Sequence, residues 1–374
     1  MDWLIPNLCF LTVSGSQSYG MATETSDLDV KGIVIPPKSV REHLFNRFDQ
    51  AINNSSVEEK YGYLKNPHNP KFESTIYSLQ KFFQLAAQVN PNIIELLWVD
   101  EKDILIKNQI GKKLIAKRDL FLSTKAKFTF SGYAFSQFAK IERHRKWLIK
   151  GELKQPLRKD YGLQGEELKG FGEMERIIKR DVENWNFSKF GLDDLERQEL
   201  KETVWECVLR LSTNKITWDN WPQKYEDAAL TKFLEDFNIS KEITDLILRE
   251  VKYKNDLREY QNWLRWKEKR NLDRKQLEKD YLYDTKHGAH LFRLMRMGCE
   301  ILEGKGVITK RPDAEELLAI RNGAYTYEKL VEEFNKLNGK MEELYKTTSL
   351  PKSVNYEKIN EFYRELLEIS LDYV

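Results

Sequence analysis

The chain opens with short apolar runs and closes with apolar positions spaced three and four apart, a pattern that predicts strands first and helices afterwards. Leu8-Cys-Phe-Leu-Thr-Val13 is apolar and β-prone and reads as a buried strand. Gly15-Ser16 breaks it, and a small polar loop follows. A second β-prone run, Leu28-Asp-Val-Lys-Gly-Ile-Val-Ile35, stops at Pro36-Pro37. Arg41 to Phe48 fits a short helix, Tyr61-Gly-Tyr-Leu64 a strand, and Asn66-Pro-His-Asn-Pro70 a turn. The next run, from Lys71 to Leu79, leads into a helical pattern that reaches Val89, with Ile76, Leu79, Phe82, Phe83 and Ala86 at helical spacing. Asn90-Pro91 ends that helix, because proline cannot continue it. Asn92-Ile-Ile-Glu-Leu-Leu-Trp98 starts another, and residues 100–130 read as a connecting helix and loop.

From Phe130 the period is helical. Tyr133, Gln137, Lys140 and His144 fall on one stripe, and Ala134, Phe138, Ile141 and Leu148 on its neighbour. The apolar stripe is core. The polar one suits a triphosphate and its base, though a solvated face has the same pattern. Arg143, Arg145 and Lys146 add a basic patch beside it. Residues 151–275 change character: charges of both signs alternate densely among Trp and Tyr, and helices fit 192–211, 226–236 and 241–269. That lobe carries no catalytic motif; it reads as a helical insertion, or as an acceptor-binding lobe whose aromatics stack on unpaired bases. A helix from Asp280 to Glu303, stopped by Gly304, places Lys286, His290 and Arg293 on one face. Three such groups suggest anion binding; a solvated face would again look alike. The tail, 325–374, is amphipathic helix with a loop near Ser349 to Ser353.

Composition narrows the classes. The chain has 374 residues, enough for two or three domains, and a formal net charge of +2, which by itself does not announce a nucleic-acid binder. Cys9, Cys207 and Cys299 are odd in number and widely spaced, so no disulfide frame is expected and a reducing, cytoplasmic setting is. No apolar stretch has membrane-spanning length, and no signal-peptide pattern opens the sequence. His287 and His290 have zinc-like spacing, but no further soft ligand lies nearby in sequence, which counts against zinc.

The chemistry concentrates at Ser26-Asp-Leu-Asp-Val30. Residues two apart on a strand share a face, so Asp27 and Asp29 aim at one point beside the Gly15-Ser16 loop. Paired carboxylates repel unless a cation lies between them. The arrangement suits one or two hard ions such as Mg²⁺ (or Mn²⁺), with substrate phosphates completing the shell.

Gly15-Ser-Gln-Ser-Tyr-Gly20 followed by Ser26-Asp-Leu-Asp-Val-Lys-Gly32 resembles the DNA polymerase β-type nucleotidyltransferase superfamily, in its predicted bacterial and phage branch, often called YcgL-like. Asn90-Pro-Asn-Ile-Ile-Glu95, Lys286-His-Gly-Ala-His-Leu-Phe-Arg-Leu294 and Arg311-Pro-Asp-Ala-Glu-Glu-Leu-Leu-Ala-Ile-Arg-Asn-Gly323 extend the likeness, which covers roughly 1–148 and 280–335. It implies an α+β fold: a nucleotidyltransferase head of mixed sheet and flanking helices over 1–118, then a mostly helical body over 119–374 with 151–275 inserted. It implies a third carboxylate at Glu73, where the family usually has Asp, with Glu95 as the alternative. It further implies that Gly15 and Ser16 bind the phosphates of an NTP, that Asp27, Asp29 and Glu73 hold two Mg²⁺ or Mn²⁺ ions, and that Lys140, His144, Lys286, His290 and Arg293 contact phosphate or nucleotide. The expected reaction moves an NMP to an acceptor hydroxyl with release of pyrophosphate. The aromatic, basic body favours an RNA (tRNA-like) 3′ end as acceptor. A protein side chain, a small molecule, or a non-catalytic nucleotide-binding, antitoxin-like role are the alternatives.

Overall fold

A computed structural model describes residues 1–163, 198, 241–269 and 272–371. Its sheet has five strands: β1 (Leu8–Ser14), β2 (Leu28–Val34), β3 (Gln50–Ile52), β4 (Phe72–Ser78) and β5 (Ile104–Lys107). Their order is β3-β4-β2-β1-β5. β2 and β4 run parallel, while β1 pairs antiparallel with both β2 and β5, and β3 antiparallel with β4. The sheet is therefore mixed, and the starts of β2 and β4 lie at the same end as the exit of β1. The expected helix over 41–48 is a single turn at Lys38–Arg41, and the expected strand over 61–64 is the end of a helix followed by a 3₁₀ turn at Gly62–Leu64.

The helices of the head are α1 (Gly15–Ser18), α2 (Lys38–Arg41), α3 (Ser55–Tyr61), α4 (Leu79–Ala86), α5 (Pro91–Ile94) and α6 (Gln109–Ala116). The body adds α7 (Lys125–Lys150), α8 (Lys241–Lys269), α9 (Leu272–Tyr281), α10 (Thr285–Leu302), α11 (Ala314–Arg321), α12 (Tyr327–Thr347) and α13 (Tyr356–Leu371). The fold class is α+β, a mixed-sheet head with flanking helices and a helical body. The backbone divides into two compact units: residues 1–149 with 271–374, and residues 150–270. In the second unit α8 carries Asp256, which accepts a hydrogen bond from the Tyr161 hydroxyl at 2.5 Å. The helices expected over 192–211 and 226–236, and Cys207, lie outside the described residues, apart from Gln198, which is helical.

Strand alternation sorts the core into two layers. Leu11, Val13, Leu28, Val30, Val34, Phe72 and Ile76 face one way, onto α3 and the N-terminal segment. Phe10 and Ile33 face the other way, into the larger core built by α4, α7, α10, α12 and α13. A bulge between Leu8 and Phe10 puts Cys9 and Phe10 together on that second face.

Helix α10 runs through the middle of this larger core and is buried on most of its circumference. Its start is set by Asp284, whose carboxylate accepts from the His287 backbone N–H at 3.1 Å. It crosses α7 at Gly298: a Cβ there would stand 3.0 Å from Phe130 Cβ. His144 on α7 meets His287 on α10, so the two helices are antiparallel. No helix among the described residues is long and apolar enough to cross a membrane.

Candidate active site

Asp29 is paired in register with Ser14 on β1 and with Glu73 on β4. Register and alternation put Asp27, Asp29 and Glu73 on the helix-covered face of the sheet, at the end where β1 exits and β2 and β4 begin. Lys71, two residues before Glu73, reaches across: its ammonium pairs with the Glu73 carboxylate and lies 3.4 Å from Asp27 Oδ2. Burial pushes the Asp29 carboxyl up to about 6, and the charges of Asp27 and Glu73 push in the same direction against Lys31 and Lys286. Asp27, Asp29 and Glu73 offer oxygen donors of the kind that suits a hard divalent ion.

The Gly15-Ser16 loop closes over this cluster. Gly15 has φ +68°, in the left-handed region, and begins the single turn of α1. A Cβ at that position would stand 3.0 Å from Asp29 Cγ. Only glycine lets the backbone lie so close to the carboxylate.

Behind the loop lies a buried ionic group. Glu95 is 1% exposed. The Tyr19 hydroxyl donates to its carboxylate at 2.8 and 3.0 Å. Lys31 stands 3.5 Å and Arg293 3.3 Å from its oxygens. The Arg293 guanidinium also lies 3.8 Å over the Tyr19 ring. Glu95 is thus a support behind the loop, while Glu73 stands beside the aspartates. The segment before α11 holds both Tyr19 and Glu95: the Arg311 backbone N–H donates to the Tyr19 carbonyl at 3.1 Å, and Thr309 Oγ1 to the Glu95 carbonyl at 3.2 Å. Arg311 is held in turn by Glu300 at 2.5 Å and Asp313 at 2.8 Å.

A cavity of about 630 Å³ opens in front of Asp27 and Asp29, within the range of small-molecule sites. Gly15, Ser16, Asp27, Asp29, Lys286, His290 and Arg293 line it, with Lys71, Gln137, His287 and Arg321. Glu73, Lys140 and His144 are not in its wall. Glu73 reaches the aspartates through Lys71, and Lys140 is an exposed residue of α7. Of the α10 stripe, Lys286 is exposed, whereas Arg293 is engaged with Glu95. Burial, then the Arg293 charge, drive the His290 imidazole well below its usual range, so it is neutral at pH 7 and offers a hydrogen bond and no charge. Burial beside His287 likewise lowers His144 to about 4.

Residues 6–155 match the family model RlaP, the RNA repair pathway DNA polymerase beta family. The match supports a polymerase β-type nucleotidyltransferase family for this part of the chain. The chain is also similar to an uncharacterized 38.9 kDa protein in the nrdC-mobD intergenic region of Enterobacteria phage T4, with 26% identity over 180 residues. The alignment takes in 46% of this chain and 44% of that one, so the chain spans less than half the length of this curated relative. No solved structure matches the chain significantly.

Several residues of this site carry no motif of their own. Lys71, Tyr19 and Lys31 sit in or beside the quoted patterns, but their partners are set by strand pairing and by packing. Lys31, two residues after Asp29, shares its face, and that spacing is the one signal that marks it.

Proposed function

We propose that the protein transfers an NMP from an NTP to the 3′ hydroxyl of an RNA, with pyrophosphate as the other product. The observation that carries this reading is the alignment of Asp27, Asp29 and Glu73 at one sheet end, with the Gly15 backbone against Asp29. The family's description, which names RNA repair, favours an RNA acceptor. Two Mg²⁺ or Mn²⁺ ions held by the three carboxylates would supply charge neutralisation of the triphosphate and a lowered pKa at the attacking hydroxyl. The Gly15 and Ser16 backbone N–H groups and the Ser16 hydroxyl bind phosphate oxygens. Lys286 and Lys140 add positive charge on the far side, and His290 donates as a neutral imidazole. The acceptor oxygen attacks the α-phosphorus in line as the bond to the β-phosphate oxygen breaks. The hydroxyl proton passes to the Glu73 carboxylate. Catalysis is then mostly positioning and charge compensation.

The test incubates the protein with each α-labelled NTP, Mg²⁺ or Mn²⁺, and total RNA, beside an Asp27→Asn/Asp29→Asn control. Label on RNA from the intact protein alone supports the reading and names the nucleotide. Label on protein would move the acceptor to a side chain. NTP binding without pyrophosphate release under every acceptor would favour a sensor on the same fold.

A further inference from the structure

We propose that His144, Asp284 and His287 form a second metal site, selective for a borderline transition-metal ion of the zinc class and separate from the three carboxylates. One ligand atom from each of these side chains lies within 4.8 Å of the other two. Ligands about 2.0–2.1 Å from a tetrahedral ion stand about 3.3–3.5 Å apart, so small side-chain rotations close the site. The sequence conceals it: His144 lies on α7, and Asp284 and His287 bracket the first turn of α10, so only the antiparallel packing of the two helices brings the three together.

The ligands are held in place by their surroundings. Asp284 is buried, and its Oδ1 is engaged in capping α10. Its Oδ2 is directed at His287 Nε2, at 3.6 Å, longer than a hydrogen bond. His144 stacks on Trp147, with ring centroids 5.4 Å apart. Such supports orient metal ligands in general. The donor set also differs in kind from that of the catalytic carboxylates. Two imidazoles and one carboxylate suit Zn²⁺ or Co²⁺, whereas an all-oxygen set suits Mg²⁺. His287 belongs both to this cluster and to the cavity wall, which leaves a fourth position for a cavity water. Asp284 brings the one negative charge, against Lys140, Arg143 and Lys286 nearby. The expected affinity is therefore that of an open three-ligand site, below that of a closed structural one. Bound there, the ion ties α7 to the start of α10.

The test needs no nucleotidyl transfer, so its failure and that of the proposed function are separable. Chelator-stripped full-length protein is titrated with Co²⁺ while visible absorption and metal content are followed. One equivalent with four-coordinate d–d bands is expected in the wild type and in Asp27→Asn/Asp29→Asn, displaced by Zn²⁺ and not by excess Mg²⁺. His144→Gln/His287→Gln should lose the bands. Asp284→Asn, which keeps the helix cap, should weaken binding by about tenfold or more. In the wild-type Co²⁺ protein, two exchangeable imidazole N–H resonances should shift far outside the usual range, a readout that requires no variant to fold. Bands that persist without His144 and His287, vanish with the aspartate pair, or come with no shifted imidazole protons would overturn the site.

Discussion

Gly15 and Asp29 are in such close approach that the loop backbone and the Asp29 carboxylate behave as one unit. Gly15 takes φ +68°, and a side chain there would occupy the space of the Asp29 carboxylate. Gly15→Ala carries two penalties: a left-handed backbone worth roughly 1–2 kcal/mol, and displacement of Asp29. Transfer activity should fall by about 100-fold or more, because misplacement by an ångström at a reacting centre costs that much. Single-turnover transfer and urea denaturation together check this. Activity near wild type would mean that the loop is free to move away from Asp29.

The raised pKa of Asp29 makes the site unfavourable for stability. In the folded, metal-free protein the carboxyl titrates at about 6, above its unfolded value near 3.8. The fold therefore holds the proton more tightly. Its cost is fully present above pH 6 and disappears as the pH falls below about 3.8. Asp29→Asn should stabilise the metal-free protein at pH 7–8 by about 1 kcal/mol, after allowance for its partial exposure to solvent. The gain should vanish near pH 4, while transfer activity is lost. Thermal melts in chelator across that pH range decide the matter. A stabilisation that does not depend on pH would point to a cause other than the charge.

The parts of this molecule that were legible in the sequence are those whose signal is local. β1 and β2 announce themselves by unbroken or alternating apolar residues, and the aspartate pair by its spacing; Ile76, read at helical spacing, lies instead in β4. β5 does not: all four of its residues are half-exposed at a sheet edge, so burial leaves little trace in composition. The aromatics of Tyr61-Gly-Tyr-Leu64 suggest a strand, yet Asn54 caps a helix whose Val57 and Tyr61, four apart, bury one face. That cap and spacing were readable. Arg293 was not: a cation on a helix reads as solvated, and Glu95, which neutralises it, lies 198 positions away. Separation in sequence likewise hides the meeting of His144 with Asp284 and His287.

The Glu95–Arg293 pair should govern stability more than binding. Both side chains are almost wholly buried, and removing one leaves the other charge without compensation. Arg293→Met should cost about 3–5 kcal/mol. Glu95→Gln should cost less than the same figure, since Tyr19 can still donate to the amide oxygen. The double variant should be less destabilised than the two losses added, which a double-mutant cycle in urea measures. If Arg293 instead held the triphosphate, its removal would raise the KM for NTP and leave the urea midpoint in place.

Lys71 stands where its charge would compete with any metal ion held by Asp27 and Glu73. Its ammonium pairs with Glu73 and lies 3.4 Å from Asp27, and the hydrogen bond it donates to Glu73 raises its pKa. The side chain is 58% exposed, so the competition is screened by solvent and by salt. Lys71→Met should therefore tighten Mg²⁺ or Mn²⁺ binding to the nucleotide-free protein by a modest factor, about two- to fivefold, as for a single exposed ion pair. The gain should shrink as ionic strength rises, because the Debye length falls to about 8 Å at 0.15 M. Calorimetric titration with Mn²⁺ at two salt concentrations reads both effects. Weaker metal binding in the variant would assign Lys71 the opposite role, that of holding Asp27 and Glu73 in position for the ion.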